Sequence, residues 1–189
     1  MNGCERDYSK KIITIPNALS VVRLCLIPVC IWLYCVEANY RLTAVVFIIS
    51  GGTDIVDGWI ARRFHMISNV GKVLDPIADK LTQAAMLFCL VTRFRYMAVV
   101  LILMVVKELI AAVTGVYVIR KTGKVLGAVW HGKLNTVLLH TLLLVHLVWT
   151  RIPPEVSHVM ISVCVIMMLI SCCLYALRNL QEVQGGALK

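Results

Sequence analysis

The sequence predicts an all-α integral membrane protein with six transmembrane helices. Three observations support this fold class. The 189 residues are 60% hydrophobic, and their mean hydropathy of +0.85 is far above that of an ordinary globular domain. Apolar stretches of about 20 residues, the length that spans a bilayer, recur along almost the whole chain. The cationic residues are divided unevenly between the segments that separate these stretches.

The candidate transmembrane helices lie near residues 17–36, 42–62, 72–92, 96–119, 128–149 and 156–178. Pro16 and Asn17 suit the start of the first helix, because Pro fits a first helical turn and Asn fits a cap. Gly51 and Gly52 weaken the second helix and allow another group to approach it. The predicted organisation is a cytosolic or interfacial segment at 1–14, a six-helix transmembrane domain at 15–180, and a C-terminal tail at 181–189.

The distribution of Lys and Arg predicts the orientation. With the N-terminus in the cytosol, twelve of the nineteen cations fall on the cytosolic side, four on the opposite side and three within the spans. This asymmetry follows the positive-inside rule and places both termini in the cytosol. The formal charge of +9 therefore reflects topology and contact with anionic lipid, and no nucleic-acid partner is expected.

The cysteines and histidines show no metal-ligand spacing. The eight cysteines include no CxxC pair and lie mostly in apolar spans, so we expect small, buried and reduced side chains. His131, His140 and His146 lie on or near the fifth span, where a helix-packing or interfacial role is expected. His65 and His158 are expected in loops.

Four of the ten acidic residues lie within 26 residues of apolar sequence, at Asp54, Asp57, Asp75 and Asp79. Carboxylates in membrane segments or at their ends are costly, so this clustering indicates a functional site. The first pair is three residues apart on the second helix and the other pair four apart on the third, so each pair shares a helix face. The short link at 63–70 makes the two helices antiparallel neighbours, which lets both faces converge near their cytosolic ends.

This carboxylate cluster is suited to bind hard cations. Mg²⁺ and Mn²⁺ prefer oxygen ligands and often recruit substrate phosphate as well. Arg62 adds a cation at the rim that suits phosphate. Small residues on the same faces leave space for a ligand, and these are Gly58, Ala61 and Gly71.

The pattern D-x2-D-G-x2-A-R-x8-G-x3-D-x3-D over residues 54–79 resembles the signature of the CDP-alcohol phosphatidyltransferases and matches it at every fixed position. The resemblance extends over most of the chain. Residues 15–28, 73–80 and 130–136 look like the branch that contains phosphatidylglycerophosphate synthases and eukaryotic-type cardiolipin synthases. The signature is specific for the family and much less so for the alcohol.

The resemblance implies a six-helix fold, a homodimer, and a polar cavity open to the cytosol. It implies that Asp54, Asp57, Asp75 and Asp79 bind two Mg²⁺ or Mn²⁺ ions per active site, which bridge the diphosphate of CDP-diacylglycerol. Asp79 matches the general base that takes the proton of the acceptor hydroxyl. The residues expected to bind the CDP-lipid are Asn17, Ser20, Gly58, Ala61, Arg62, Ser68 and Gly71.

Four cations are candidates for binding the acceptor, at Arg23, Lys107, Arg120 and Lys133. Each lies at or near the cytosolic half of a span, or in its loop. Two alternative interpretations stay open. One is that Lys107 forms a structural ion pair with Glu108, and the other is that the cations at the fourth and fifth spans anchor the chain to the cytosolic face.

The residues near the predicted acceptor site match two branches of the family. Phosphatidylglycerophosphate synthases usually carry Arg where Lys107 stands, Arg where Gly115 stands and Lys where Asn135 stands. Residues 132–136 look closer to cardiolipin synthases, whose acceptor is phosphatidylglycerol. We predict phosphatidyl transfer from CDP-diacylglycerol to glycerol 3-phosphate, with release of CMP. Phosphatidylglycerol or another alcohol is the alternative acceptor.

Two other functional classes use acidic residues in a membrane. An ion or proton carrier usually places them near the midplane, whereas this cluster lies at helix ends. An intramembrane prenyltransferase also uses acidic clusters with Mg²⁺, but this sequence lacks DDxxD and continues as DG-x2-AR. The expected location is a bacterial plasma membrane, with the active site on the cytosolic side.

Overall fold

The computed structural model describes residues 15–63, 71–122 and 130–186, and within these ranges it leaves undescribed the side chains at 15–16, 54–62, 72–73, 122, 131 and 179–186. Every regular element in these ranges is an α-helix. The helices are α1 (Ile15–Cys35), α2 (Tyr40–Arg63), α3 (Gly71–Val91), α4 (Met97–Thr122), α5 (Trp130–Val148) and α6 (Pro154–Gly186). The all-helical class is confirmed, and α6 extends into the segment assigned to the tail.

Three of these helices are long and apolar enough to cross a membrane. The corresponding segments are Asn17–Cys35, Met97–Lys121 and Pro154–Arg178, in α1, α4 and α6. Shorter apolar segments lie in α2, at Tyr40–Thr53, and in α5, at Gly132–Val148. Membrane crossing by α2, α3 and α5 stays a prediction.

The first of two compact units, Met1–Cys89, contains α1, α2 and most of α3. Helix α1 packs against α2. The hydroxyl of Ser20 donates to the carboxylate of Asp75 near the starts of α1 and α3. Near the ends of the same two helices, the sulfur atoms of Cys35 and Cys89 are 3.9 Å apart. Helices α1 and α3 are therefore parallel. Helix α2, which lies between them along the chain, runs in the opposite direction.

A short link sets the direction of α2. It occupies residues 36–39, where Ala38 adopts a left-handed backbone with φ of 49°. The side-chain Oδ1 of Asn39 accepts a hydrogen bond from the amide of Leu42 at 3.1 Å, which caps α2. The C-terminal end of α2 consequently lies at the same end of the unit as the starts of α1 and α3.

The second compact unit, Leu90–Lys189, contains α4, α5 and α6. Helices α4 and α5 both pack against α6. The rings of Tyr96 and His158 meet at 4.9 Å, next to the starts of α4 and α6. At the other end of this unit, Gly132 of α5 lies against Tyr175 of α6. Helices α4 and α6 are parallel, and α5 is antiparallel to α6.

Burial in α1 is the reverse of that in a water-soluble protein. Three polar side chains at a spacing of three, those of Asn17, Ser20 and Arg23, are 5%, 0% and 2% exposed. The apolar side chains of Val22 and Trp32 are about half exposed. Hydrocarbon does not hydrogen bond, so polar groups turn toward protein and apolar groups toward lipid. This pattern supports the membrane assignment.

His146 links α5 to α6 through buried hydrogen bonds. Its Nδ1 lies 2.8 Å from the Leu142 carbonyl and its Nε2 lies 2.9 Å from the Ser157 hydroxyl. A carbonyl only accepts, so Nδ1 carries the proton and Nε2 accepts from Ser157. The ring of Phe94 meets the imidazole edge-on at 4.9 Å. The predicted helix-packing role of His146 is confirmed.

The other histidines give a mixed result. His158 lies in α6, so its expected placement in a loop is wrong, because α6 starts four residues earlier at Pro154. His140 contacts its own helix, with Nδ1 3.0 Å from the carbonyl of Thr136. His65 and the side chain of His131 lie outside the described part of the chain.

The seven cysteines that the structure describes are free thiols. Burial is found for Cys30, Cys89 and Cys164. The expected burial is wrong for Cys25, Cys35 and Cys173, which are exposed. A thiol behaves as a small apolar group, so the outer surface of a membrane helix accommodates it.

Replacing His146 by Leu leaves the buried hydroxyl of Ser157 without its partner. We expect His146→Leu to lower the free energy of unfolding by about 1–3 kcal/mol, the usual cost of an unsatisfied buried polar group. The measurement is the thermal unfolding midpoint of the detergent-solubilised protein. The control is Thr141→Val on the same helix, because Thr141 is exposed and bonds only locally, to the Val137 carbonyl. Equal midpoints for the two variants would contradict the role of His146.

Candidate active site

The described core of the candidate active site lies in the first half of α3. Asp75 and Asp79 are one helical turn apart, and both are partly buried. Asp75 accepts a hydrogen bond from Ser20. The Oδ2 atom of Asp79 accepts one from the Nε2 of Gln83 at 3.0 Å. Each carboxylate is therefore held by a neutral donor.

Ser20 connects these carboxylates to α1. Its side chain is fully buried, as is that of Asn17 one turn earlier on the same face. Gly71, the first residue of α3, is also buried. The structure thus brings three of the residues assigned to the CDP-lipid to the same end of the first unit as Asp75, namely Asn17, Ser20 and Gly71. The i, i+3 spacing on α1 accounts for the shared face.

Gln83 is a neighbour of the site that sequence reasoning missed. Its side chain is 0% exposed, and its Oε1 has no hydrogen-bond partner among the described residues. The four-residue spacing of Asp75 and Asp79 continues to position 83, so the helical period carries a signal for it. A search for charged residues overlooks an amide.

The other predicted carboxylates belong to the C-terminal half of α2. Helix α2 includes Asp54 and Asp57, but their side chains lie outside the described part of the structure. The same holds for other residues assigned to the CDP-lipid, namely Gly58, Ala61 and Arg62. Ser68 lies in the segment 64–70, which is also outside it. The backbone of α2 runs toward the end where α3 begins.

The described donors are suited to a hard divalent cation. Asp75 and Asp79 supply carboxylate oxygens from one helix face, which is the donor type that Mg²⁺ and Mn²⁺ prefer. Among the side chains that the structure describes, no group of three or more His, Cys, Asp or Glu could hold a metal ion. The sequence predicts that the carboxylates of α2 complete the set of ligands.

The four acceptor candidates lie in different environments. Arg23 is buried in α1, at 2% exposure. Lys107 is buried in α4, and its Nζ lies 2.9 Å from Glu108 Oε1, so the ion-pair interpretation is confirmed. Arg120 and Lys133, at the end of α4 and the start of α5, are exposed.

Lys107 and Arg120 are too far apart to hold one phosphate. Thirteen residues separate them on α4, which corresponds to about 20 Å along the helix axis. Lys107 is also neutralised by its neighbour, so Arg120 is the accessible one of the two acceptor candidates on α4. On α5, Asn135 is 1% exposed, and its Oδ1 has no hydrogen-bond partner in the described ranges.

Gly132 permits a close contact between α5 and α6. A Cβ atom at this position would collide with the hydroxyl of Tyr175 and lie 3.3 Å from its Cζ. The contact lies one residue before Lys133, so it also positions the start of α5. Tyr175 was not predicted from the sequence, because no local pattern connects it to a glycine on another helix.

Comparison with protein families identifies the chain. The model of the family described as CDP-alcohol phosphatidyltransferase matches residues 13–177. The chain belongs to this family. Its CDP-alcohol phosphatidyltransferase signature thus runs from the C-terminal half of α2 into α3, and the two fixed aspartates of α3 are those held by Ser20 and Gln83.

Three curated relatives illustrate the similarity. A Bacillus subtilis protein named CDP-diacylglycerol--glycerol-3-phosphate 3-phosphatidyltransferase is 35% identical over 137 residues, which cover 65% of this chain and 70% of that protein. A fusion protein of Schizosaccharomyces pombe, named cardiolipin synthase (CMP-forming) / mitochondrial hydrolase, is 39% identical over 47% of this chain and 15% of its own length. A rice protein named cardiolipin synthase (CMP-forming) is 34% identical over 49% and 29%. The match thus spans less than a third of the yeast and rice proteins.

Adding a methyl group at Gly132 tests the close contact with Tyr175. We expect Gly132→Ala to lower the free energy of unfolding by about 1–3 kcal/mol, because overpacking displaces the phenol. In a Tyr175→Phe background the same change should cost less, since the colliding oxygen is gone. Thermal unfolding midpoints of the four proteins give the comparison.

The matched control for this series is Gly115→Ala on α4. A Cβ there meets nothing within 4 Å, so we expect no loss of stability. A cost for Gly132→Ala that is as small as that of Gly115→Ala would contradict the contact. A cost that persists unchanged with Phe at position 175 would also do so.

Proposed function

We propose that the protein is a CDP-diacylglycerol-dependent phosphatidyltransferase of phospholipid biosynthesis. In this proposal it transfers the phosphatidyl group to glycerol 3-phosphate and forms phosphatidylglycerophosphate and CMP. The principal support is the placement of the signature carboxylates Asp75 and Asp79 on one face of α3, with Ser20 of α1 bonded to the first. The name of the Bacillus relative supports the same donor and acceptor.

The reaction replaces one oxygen substituent of the phosphorus by another. The acceptor hydroxyl oxygen forms a bond to the phosphorus that carries diacylglycerol, and the bond from that phosphorus to the bridging oxygen of CMP breaks. The hydroxyl proton passes to a base within hydrogen-bond reach, a role that we assign to Asp79. The leaving CMP keeps the bonding electron pair on its phosphate oxygen.

We assign Asp54, Asp57, Asp75 and Asp79 to bind two Mg²⁺ or Mn²⁺ ions. When bound, these ions supply charge stabilisation for the diphosphate and for CMP as the leaving group. Ser20 orients Asp75 and Gln83 orients Asp79, so the carboxylates of α3 are preorganised. The other residues expected to bind the CDP-lipid are proposed on the sequence alone.

Phosphatidylglycerol is a second candidate acceptor, as in a cardiolipin synthase. Lys107 is paired with Glu108, and Asn135 offers a buried carbonyl oxygen with no partner among the described residues. Such an oxygen accepts a hydrogen bond from a hydroxyl and does not bind phosphate. These two observations favour an uncharged glycerol group. Arg120 and Lys133, both exposed, remain suited to the phosphate of glycerol 3-phosphate.

We further propose that all six helices cross the membrane, with both termini and the active site in the cytosol. The inward-facing polar residues of α1 and the positive-inside bias support this arrangement. The homodimer rests on the family resemblance. The relatives come from a bacterium, a yeast and a plant, so they do not favour a bacterial membrane over an organellar one.

An acceptor panel tests the proposed reaction. The purified protein receives CDP-diacylglycerol, Mg²⁺, and glycerol 3-phosphate, phosphatidylglycerol or inositol, with CMP release and lipid products read by mass spectrometry. We expect phosphatidylglycerophosphate with glycerol 3-phosphate. If product forms with phosphatidylglycerol alone, phosphatidylglycerol replaces glycerol 3-phosphate as the proposed acceptor. Absence of CMP with every acceptor, together with cation uptake in proteoliposomes, would replace the enzyme by a carrier.

The control for this assay is Asp79→Asn. Loss of a positioned base costs roughly 10²–10⁴-fold in rate, so turnover should fall below detection while CDP-diacylglycerol still binds. A variant that retains its activity would remove Asp79 from the role of base.

Gln83 should influence the rate through Asp79. We expect Gln83→Leu to lower kcat by about 10-fold, the effect typical of a residue that orients a catalytic carboxylate, with an unchanged KM for CDP-diacylglycerol. The control is Thr82→Val, whose hydroxyl bonds only locally, to the Ala78 carbonyl at 2.8 Å. An equal loss in both variants, in step with their unfolding midpoints, would show that Gln83 acts on stability alone.

A further inference from the structure

A groove lies between α4 and α6 at the end of the second unit where both helices begin. Its volume is about 450 Å³. Tyr96 and Val99 line it on the α4 side. The residues on the α6 side are His158, Ile161, Ser162, Val165 and Ile166. Their spacing places them on one helix face, and they cover about 12 Å of the α6 axis.

The lining of the groove changes from polar to apolar along its length. The rings of Tyr96 and His158 meet edge-to-face at its mouth, with centroids 4.9 Å apart. Further along α6, Val165 and Ile166 provide apolar walls. A polar mouth above an apolar channel matches a ligand that has a polar head and a hydrocarbon chain.

Both helices that form the groove, α4 and α6, are long and apolar enough to be candidates to span the membrane. Next to the groove, Ile102 on α4 and Val163 on α6 are 61% and 48% exposed. Within a bilayer such a surface contacts lipid chains, so a membrane lipid is the ligand that suits the groove.

Exposed cations lie at the same end as the mouth. Arg93 donates to the carbonyl of Thr150, which holds together the loop before α4 and the loop before α6. Arg95 in the first loop and Arg151 in the second are exposed. Two guanidinium groups beside a polar mouth complement the phosphate of an anionic lipid.

We propose that this groove binds an anionic glycerophospholipid, with one acyl chain along α6 and the phosphate near Arg95, Arg151 and His158. The site is separate from the acceptor candidates of the same unit. Seventeen residues of α6 separate His158 from Tyr175, which corresponds to about 25 Å along the axis. Lipid bound here stabilises the packing of α4 on α6 by mass action and is not consumed.

Binding to the delipidated full-length protein tests the proposal, without CDP-diacylglycerol or metal. The probes are dioleoylphosphatidic acid, dioleoylphosphatidylcholine and oleate, with bound lipid counted by native mass spectrometry. We expect phosphatidic acid to bind about tenfold more tightly than phosphatidylcholine and to raise the unfolding midpoint. Equal affinity for the two phospholipids overturns the assignment of an anionic headgroup. Tighter binding of oleate than of phosphatidic acid overturns the assignment of a phospholipid as the ligand.

Two tryptophan variants locate the binding site. Ser162→Trp fills the groove, whereas Val163→Trp adds the same bulk one residue away, outside the lining. We expect the first to weaken phosphatidic acid binding about tenfold and the second to leave it unchanged. Arg95→Ala with Arg151→Ala should abolish the preference for phosphatidic acid. Unchanged lipid binding in Ser162→Trp overturns the proposal, whether or not the substitution also dissociates a dimer.

A photoactivatable phosphatidic acid tests the location of the site in the protein without substitutions. Crosslinks in the peptide that contains residues 158–166 are expected, and crosslinks confined to other peptides contradict the site. This measurement decides the question even where Ser162→Trp fails to fold.

Discussion

The hydrogen bond from Ser20 to Asp75 is the interaction on which the candidate site depends. It joins the starts of α1 and α3 across 55 residues of sequence, and it gives a carboxylate in an apolar helix a donor that replaces water. A carboxylate in such a helix is costly unless it is hydrogen bonded or binds a cation. The bond therefore defines the end of the unit where the other polar groups gather. Asn17 and Gly71 are buried at that end, and Gln83 holds Asp79 one turn further along α3.

The same constraint operates in the second unit, with different partners. Lys107 is neutralised by Glu108, and His146 is satisfied by a helix carbonyl and by Ser157. These pairings use up polar groups that, in the sequence, resemble free functional residues. Of the two acceptor candidates on α4, Arg120 is consequently accessible and Lys107 is not. At the opposite end of the unit, Arg95 and Arg151 are exposed beside a groove that suits lipid.

Much of the fold was predictable from the sequence, because each helix is a long apolar stretch bounded by polar links. The positions of α1 to α5 agree with the predicted stretches to within three residues, whereas α6 ends eight residues later than predicted. His158 was misplaced, since a turn of Pro and Glu residues at 153–155 also suits the first turn of α6. In the site, helical periodicity predicted the shared face of Asp75 and Asp79. It did not predict Gln83, because an uncharged side chain carries no solvation cost that marks it in an apolar sequence.

The sequence by itself determined the family and the helical class, and it supplied the candidate residues for the chemistry. Those properties follow from local spacing and from the cost of charge in hydrocarbon, both of which can be read along one chain. Only the tertiary structure decided which polar residues are already paired. Ser20 with Asp75 and Gly132 with Tyr175 are contacts between helices, set by how side chains pack and not by distance in sequence. The groove proposed for lipid likewise arises from two helices together, since its lining comes from both the α4 side and the α6 side.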